Sequence, residues 1–204
     1  MRALIVSGGE VIDKLKLKEI SMLSDFIIAA DSGYEHLSEI SAVPDIFIGD
    51  MDSVKTSVSA KEIIKLNTDK DETDTEAAVR LALSKGYNDI IIFGGIGTRA
   101  DHTTANLFLL KQIYDNDAIG CIINEHNEIY YTESEFSYEG NSGDTISIVP
   151  VTDCENIVTT GLLYELNGDT LIFGTGRGVS NVLTDTKCMI KIGKGKALIF
   201  KSLD

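Results

Sequence analysis

Residues 1–123 alternate short apolar runs with segments of helical character. These runs lack the apolar–polar alternation of strands with one face in water, which is typical of parallel strands covered on both faces. We therefore predict strands over Ala3 to Val6, Phe26 to Ala30, Ile46 to Ile48, Ile63 to Leu66, Ile90 to Phe93 and Ile119 to Ile123. Strands that alternate with helices predict a Rossmann-like, three-layer α/β/α domain with a parallel sheet.

Two helices are clear within this region. Thr73 and Glu76 form a Thr-x-x-Glu capping box, which is typical of a helix start, and Gly86 is a suitable residue to end the same helix. Apolar residues at helical spacing predict a second helix from about Thr103 to Tyr114.

The pattern changes near residue 124. From there to residue 204 the apolar runs are short, often β-branched and broken by Gly, Asn and Asp, without a helical period. We predict a small all-β domain over residues 124–204, a β-sandwich or a barrel-like fold. Its predicted strands are Asn127 to Thr132, Phe136 to Tyr138, Thr145 to Val149, Asn156 to Thr160, Asp169 to Phe173, Cys188 to Ile192 and Ala197 to Phe200.

The charge balance limits the partners of this chain. With 18 basic and 32 acidic side chains its formal net charge is −14, which argues against nucleic acid or an anionic membrane as a partner. A polyphosphate must then bind as its metal complex, or in a pocket of backbone amides and placed cations. No apolar run approaches the ~18 residues that cross a bilayer, and we expect a cytoplasmic protein. The three cysteines indicate neither a disulfide framework nor a zinc site.

Five successive predicted strands end in Gly or Asp clusters. Because parallel strands finish at the same edge of a sheet, where ligands bind, we expect the five segments to form one site. They are Ser7-Gly8-Gly9, Asp31-Ser32-Gly33, the segment from Gly49 to Ser53, the segment from Thr68 to Asp74, and the segment from Gly94 to His102.

The acidic residues of these segments suggest a metal site. Asp50 and Asp52 follow a buried strand, and Asp74 lies at a helix start. Carboxylates this close repel one another unless a hard cation joins them, so Asp50, Asp52 and Asp74 are candidate Mg²⁺ ligands. The alternatives are a solvated turn for the Asp50–Asp52 pair and a helix-dipole partner for Asp74.

The last segment suggests a phosphate site. Gly94, Gly95 and Gly97 allow a close approach of the backbone to an anion, amides of the following helix point at it, and Arg99 adds a forked cation. The alternative is a tight turn with Arg99 in a surface ion pair.

Three other features have open interpretations. Asp101 either caps the helix or holds Arg99, and a lone histidine such as His102 is more often structural than catalytic. The segment from Asp31 to Gly33 either lines the ribose or base of a nucleotide or turns the chain.

Taken in order, these segments resemble the thiamine pyrophosphokinase family. The resemblance continues into the second domain, through Thr159-Thr160-Gly161-Leu162-Leu163-Tyr164-Glu165-Leu166, Phe173-Gly174-Thr175 and Val179-Ser180-Asn181. Two departures are visible: many members carry a glycine where this chain has Thr98, and some carry tryptophan in place of Tyr164.

The resemblance implies transfer of diphosphate from ATP to the hydroxyl of thiamine, releasing AMP, by a cytoplasmic homodimer with sites at the subunit interface. It implies Mg²⁺ bound by Asp50, Asp52 and Asp74, which together with Arg99 form the catalytic set. Thiamine is expected to contact Tyr164, Ser180 and Asn181. The residues implied for ATP are Asp31, Ser32, Gly33, Asp71, Thr73, Gly95, Gly97, Arg99, Asp101, His102 and Asn106.

Two other functions fit parts of the sequence. An Asp-x-Asp motif beside a parallel sheet also serves metal-dependent nucleotide-sugar transferases. A non-catalytic module that binds thiamine or thiamine diphosphate through the β domain is the second alternative. Release of AMP from ATP in the presence of thiamine separates both from a kinase.

Overall fold

The computed structural model describes residues 1–50, 57–66 and 71–203. The chain divides into two units, Met1–Glu125 (unit 1) and His126–Asp204 (unit 2). This division lies two residues beyond the boundary predicted after residue 123. Among the helices in the described ranges, none is both long and apolar enough to cross a membrane.

Unit 1 alternates strands and helices. Apolar runs rich in Ile form the strands, and each predicted strand is present to within one residue at either end. The elements are β1 (Arg2–Val6), α1 (Lys14–Met22), β2 (Phe26–Ala30), α2 (Gly33–Glu39), β3 (Ile46–Gly49), β4 (Glu62–Lys65), α3 (Asp74–Ser84), β5 (Asp89–Phe93), α4 (Ala100–Tyr114) and β6 (Ile119–Ile123).

The strands of unit 1 pair in the order β6-β5-β1-β2-β3-β4, and each of these pairings is parallel. The chain places β2, β3 and β4 on one side of β1 and then returns to place β5 and β6 on the other side. Leu4, Ile5, Ile92 and Phe93 are fully buried at the centre of this sheet. Ligands of open α/β sheets bind at the carboxyl edge where the strand order reverses, which here lies between β1 and β5.

Helix α3 begins and ends at the residues that the sequence predicts. The hydroxyl of Thr73 accepts a hydrogen bond from the backbone N–H of Glu76 at 3.1 Å, which satisfies one of the unpaired amides of the first turn. Gly86 has a φ of 83°, and its N–H donates to the Leu83 carbonyl at 2.9 Å. Both predicted signals are confirmed.

Strand β4 differs from the prediction that every strand of this sheet is covered on both faces. Three of its four residues are exposed, and Ile63 keeps 45% of its surface. The prediction is wrong for β4 because this strand lies at the end of the strand order, beyond β3. Glu62 and Lys65 place charges along this edge, which discourages pairing with another chain.

Two helices of unit 1 had no sequence assignment. Helix α1 exposes apolar side chains, with Leu15 at 75% and Met22 at 68%, so its apolar residues do not fall on one face. Helix α2 has only seven residues, about two turns, which is shorter than the window over which a helical period is read from a sequence. Helix α4 begins at Ala100, three residues before the predicted start at Thr103.

Unit 2 consists of two antiparallel sheets, with strand orders β12-β9-β14-β7 and β11-β10-β13-β8. Seven of these strands were predicted, and the two-residue β12 was not. The strands are β7 (Asn127–Thr132), β8 (Glu135–Glu139), β9 (Thr145–Pro150), β10 (Cys154–Thr160), β11 (Asn167–Leu171), β12 (Asn181–Val182), β13 (Lys187–Lys191) and β14 (Ala197–Ser202).

Buried side chains from both sheets of unit 2 form one cluster. Ile148 and Ile199 enter it from β9 and β14, and Ile157 and Ile190 enter it from β10 and β13. The strands of unit 2 therefore share one apolar core.

We expect Ile92→Ala to lower the free energy of unfolding by about 2–5 kcal/mol, because Ile92 is fully buried and its removal leaves a cavity. Ile119→Ala is the matched control on the neighbouring strand, where the side chain is 66% exposed, and should change this free energy by about 0.5 kcal/mol or less. Urea unfolding followed by far-ultraviolet circular dichroism measures both values. Equal losses in the two variants would contradict this assignment of the core.

Candidate active site

A cavity of about 630 Å³ opens at the carboxyl edge of the unit 1 sheet. Its walls come from the ends of β1, β2 and β5 and from the starts of α3 and α4. Four of the five predicted segments therefore line one cavity. Asp50, the described residue after β3, lies outside the lining, and Asp52 lies outside the described residues.

Two backbone loops form one wall of the cavity, residues 7–10 after β1 and residues 94–97 after β5. The N–H of Gly9 donates to the Gly94 carbonyl at 2.8 Å, and the N–H of Glu10 donates to the Ile96 carbonyl at 3.1 Å. A Cβ at Gly9 would overlap both of these carbonyl oxygens. The close contact of the two loops therefore requires glycine at this position.

Helix α4 holds the second loop from its other side. The hydroxyl of Thr103 lies 3.1 Å from the Gly97 nitrogen, whose hydrogen it accepts, and 3.3 Å from the Gly97 oxygen. The buried amide of Asn106 donates to the Gly95 carbonyl at 2.8 Å. These contacts fix the loop that was predicted to meet phosphate.

Arg99 stands at the start of α4 and forms an ion pair with Asp101. The Arg99 Nη2 to Asp101 Oδ2 distance is 2.5 Å, and the two side chains are 69% and 65% exposed. The Arg99 guanidinium and the His102 backbone N–H together lower the pKa of Asp101 to about 2. Because an exposed ion pair is worth little, Arg99 can exchange Asp101 for another anion at small cost.

The acidic candidates lie at neighbouring points of the sheet edge. Asp74 is the first residue of α3 and lines the cavity, whereas Asp50 directly follows β3. Asp31 follows β2 with a φ of 53°, and its N–H donates to the Ile48 carbonyl of β3 at 2.8 Å. Within the described ranges, no three His, Cys, Asp or Glu side chains group closely enough to hold a metal ion.

The remaining nucleotide candidates fall into two groups. Asp31, Ser32, Thr73 and His102 line the cavity. Gly33, Asp71 and Asp101 lie outside the lining.

Gly33 is required by packing and not by a place in the cavity lining. Gly33 is buried at the start of α2, and a Cβ there would overlap the Val6 carbonyl of β1. Substitution would therefore disturb the contact between α2 and the sheet.

In unit 2 the structure brings Tyr164 and Asn181 together. The Asn181 side chain accepts a hydrogen bond from the Tyr164 N–H at 3.0 Å and donates to the Tyr164 carbonyl at 2.8 Å. The Tyr164 side chain remains 68% exposed. The neighbouring Ser180 has a φ of 60°, and its N–H donates to the Ser147 hydroxyl at 2.9 Å.

Comparison with known families settles the relationship of this chain to other proteins. The sequence model described as the thiamin pyrophosphokinase catalytic domain matches residues 17–122, just over half of the chain. The chain belongs to the thiamin pyrophosphokinase family. The vitamin B1 binding domain of the same family matches residues 128–197.

Individual members of the thiamin pyrophosphokinase family are similar over most of their length. The thiamine pyrophosphokinase of Bacillus subtilis is 28% identical over 186 residues, which cover 87% of each chain. Its crystal structure matches with a TM-score of 0.87 over 100% of both chains at 26% identity. The yeast thiamin pyrophosphokinase shares the fold, with a TM-score of 0.81 at 18% identity, over 100% of this chain and 86% of the yeast chain.

Several cavity residues were missing from the predicted site. Glu10, Thr75 and Thr103 line the cavity. Thr75 also bonds Ser7, with 2.7 Å between their buried hydroxyl oxygens. Of these three residues only Thr103 had a sequence signal, because it lies four residues after Arg99 and therefore on the same face of α4.

We expect Gly9→Ala to lower the free energy of unfolding by about 1–3 kcal/mol, because the added methyl group forces the two loops apart. Gly176→Ala is the control, since no described atom lies within 4 Å of a Cβ built there. Urea unfolding of each variant against the parent protein measures the effect. Equal stability of Gly9→Ala and the parent would contradict the close approach of the loops.

Proposed function

We propose that this protein transfers the terminal diphosphate of ATP to the hydroxyl group of thiamine, giving thiamine diphosphate and AMP. The observation that carries the proposal is that Asp74, Arg99 and the two glycine-containing loops line the same cavity at the sheet edge in a member of this family. Its volume of about 630 Å³ suits a nucleotide.

We propose that the nucleotide phosphates bind at the start of α4. Backbone amides of a helix start attract anions, and Arg99 has the forked geometry that matches phosphate oxygens. Among the described residues that line the cavity, Arg99 is the only lysine or arginine. On this proposal Asp101 holds the guanidinium in place before ATP binds, and Arg99 leaves Asp101 for the phosphates.

Other residues have direct or supporting roles in this proposal. Asp31, Ser32 and His102 line the cavity and are proposed to contact the nucleotide, as are Gly95 and Gly97 through their backbone.

The supporting residues act through other groups. Thr73 and Asn106 act through the Glu76 amide and the Gly95 carbonyl that they bond. The remaining predicted contacts, Gly33 and Asp71, find no support in the cavity lining.

We propose that Asp50, Asp74 and Asp52 hold Mg²⁺. The donor set fits, because carboxylate oxygens suit Mg²⁺, which usually keeps several waters and takes one or two carboxylates together with substrate phosphates. On this proposal the three carboxylates need not all bind the metal directly, because waters and substrate phosphates complete its coordination. Bound there, Mg²⁺ would neutralise charge on the phosphate oxygens.

The chemistry is a displacement at the β-phosphorus. The thiamine oxygen forms a bond to the β-phosphorus, and the bond between this phosphorus and the α/β bridging oxygen breaks. AMP leaves with that oxygen, and the hydroxyl proton passes to solvent. The contribution of the chain is alignment and neutralisation of charge, for which Arg99 and the α4 amides are suited.

We propose that the exposed ring of Tyr164 supports thiamine. Its π face attracts a cation such as the thiazolium ring. Asn181 supports this contact by holding the Tyr164 backbone, and Ser180 is the residue before Asn181.

Three further features belong to this proposal. They are a Rossmann-like fold for unit 1, a homodimer with sites at the subunit interface, and a cytoplasmic location.

Purified protein given ATP, thiamine and Mg²⁺ should release AMP and thiamine diphosphate in equal amounts, and EDTA should stop the reaction. Separating the nucleotides and thiamine compounds by chromatography measures both products. Turnover of a UDP-sugar without AMP formation would favour the sugar-transferase alternative. Thiamine binding without AMP formation would favour the non-catalytic module.

We expect Arg99→Ala to lower kcat/KM for ATP by about 10²–10³-fold, because a placed cation that stabilises the transition state is lost. Arg80→Ala is the matched control, since Arg80 is a 60% exposed arginine of unit 1 that pairs with Glu72 at 3.2 Å and lies outside the cavity lining. Steady-state AMP release measures both. Equal kinetics in the two variants would contradict the role of Arg99.

A further inference from the structure

The imidazole of His36 on α2 has a hydrogen-bond partner at each ring nitrogen. Nε2 lies 2.8 Å from the Gly9 carbonyl oxygen, and Nδ1 lies 3.1 Å from Lys14 Nζ. An ammonium group can only donate, so Nδ1 accepts and the ring proton is on Nε2, which donates to Gly9. The contacts therefore require a neutral ring in one tautomer.

The charges around His36 agree with a neutral ring. Burial lowers the pKa of His36 below 6.5, and the Lys14 ammonium acts in the same direction, whereas the Gly9 carbonyl, Glu39 and Glu35 oppose the shift. Lys14 is itself fixed by an ion pair of 2.5 Å with Glu39. The side chains of α1 and α2 thus form a chain of contacts that ends on the Gly9 carbonyl.

His36 lies outside the lining of the cavity, on the far side of Gly9. The same Gly9 bonds the Gly94 carbonyl through its N–H, and the next residue, Glu10, bonds Ile96. A shift of the Gly9 peptide would therefore move the loops of residues 7–10 and 94–97 together, and with them the approach to α4.

We propose that neutral His36 is a positioning residue for the nucleotide, acting through the Gly9 carbonyl on the two loops that wall the cavity. The inference rests on the proposed function, because it takes ATP as the ligand of this cavity. It extends that function to a side chain that the reaction itself does not touch.

The test compares two substitutions of His36 in the full chain. His36→Leu removes the donor to Gly9, whereas His36→Gln places an amide N–H near the position of Nε2. We expect His36→Leu to weaken Mg–ATP binding about 3- to 10-fold, as loss of one hydrogen bond does, and to raise KM for ATP with little change in kcat. His36→Gln should restore affinity to within about twofold. Calorimetry without thiamine measures the affinity.

A second pair of variants tests the lysine. Lys14→Met should raise the pKa of His36, because the repelling ammonium is gone, and Lys18→Met on the exposed face of α1 is the matched control. In the parent protein, protonation of His36 places an imidazolium against Lys14 and should weaken ATP binding as the pH falls below 6.5.

The Mg–ATP affinity of each protein is divided by that of His36→Gln at the same pH, which cancels the titration of ATP itself. In the parent this ratio should decline as the pH falls. The decline should occur at higher pH in Lys14→Met than in the parent, and at the same pH in Lys18→Met as in the parent. The variants of Lys14 and Lys18 carry the test if His36→Leu does not fold.

Equal ATP affinity of His36→Leu and the parent overturns the inference, as does an equal loss in His36→Leu and His36→Gln. The proposed function has a separate control, which is the parent protein alone. A parent that binds no Mg–ATP and releases no AMP contradicts the proposed function. A parent that does both, with variants that match it, contradicts the role of His36 alone.

Discussion

The parallel pairing of β1 with β2 on one side and β5 on the other is the constraint on which the candidate site depends. It sets Val6 beside Ala29 and Phe93, so that the loops after these strands begin at the same level of the sheet edge. A slip of one residue that moved Glu10 to the contact with Gly94 would bring a Cβ to a point where the Gly94 carbonyl leaves no room for one. The buried apolar side chains of these strands thus fix the positions of the residues that line the cavity.

The sequence predicts those parts of the fold that local chemistry determines. Apolar runs located the strands, and Thr73 and Gly86 located the two ends of α3. Individual side-chain contacts between distant segments were not predictable, since nothing near His36 in the sequence indicates that its ring meets Gly9. The ion pair of Arg99 with Asp101 lay between these cases, because its residues are close in sequence but have several possible partners.

The charge of the chain gives the candidate site an electrostatic problem. With a net charge of −14 the protein repels a polyphosphate at long range, so attraction must come from groups placed at short range. Arg99, the only lysine or arginine among the described residues that line the cavity, is paired with Asp101, so oriented backbone amides are a further source of positive potential there. A divalent cation that accompanies the phosphates would remove most of this repulsion.

The contact between Asn181 and Tyr164 fixes the position of residue 164 but does not require a particular aromatic ring there. Both hydrogen bonds join the Asn181 side chain to main-chain atoms of Tyr164. They therefore do not depend on which side chain residue 164 carries. A different aromatic side chain could therefore occupy position 164 without any change in these two hydrogen bonds. The aromatic surface at this point is thus determined by one side chain, whereas its position is determined by the main chain.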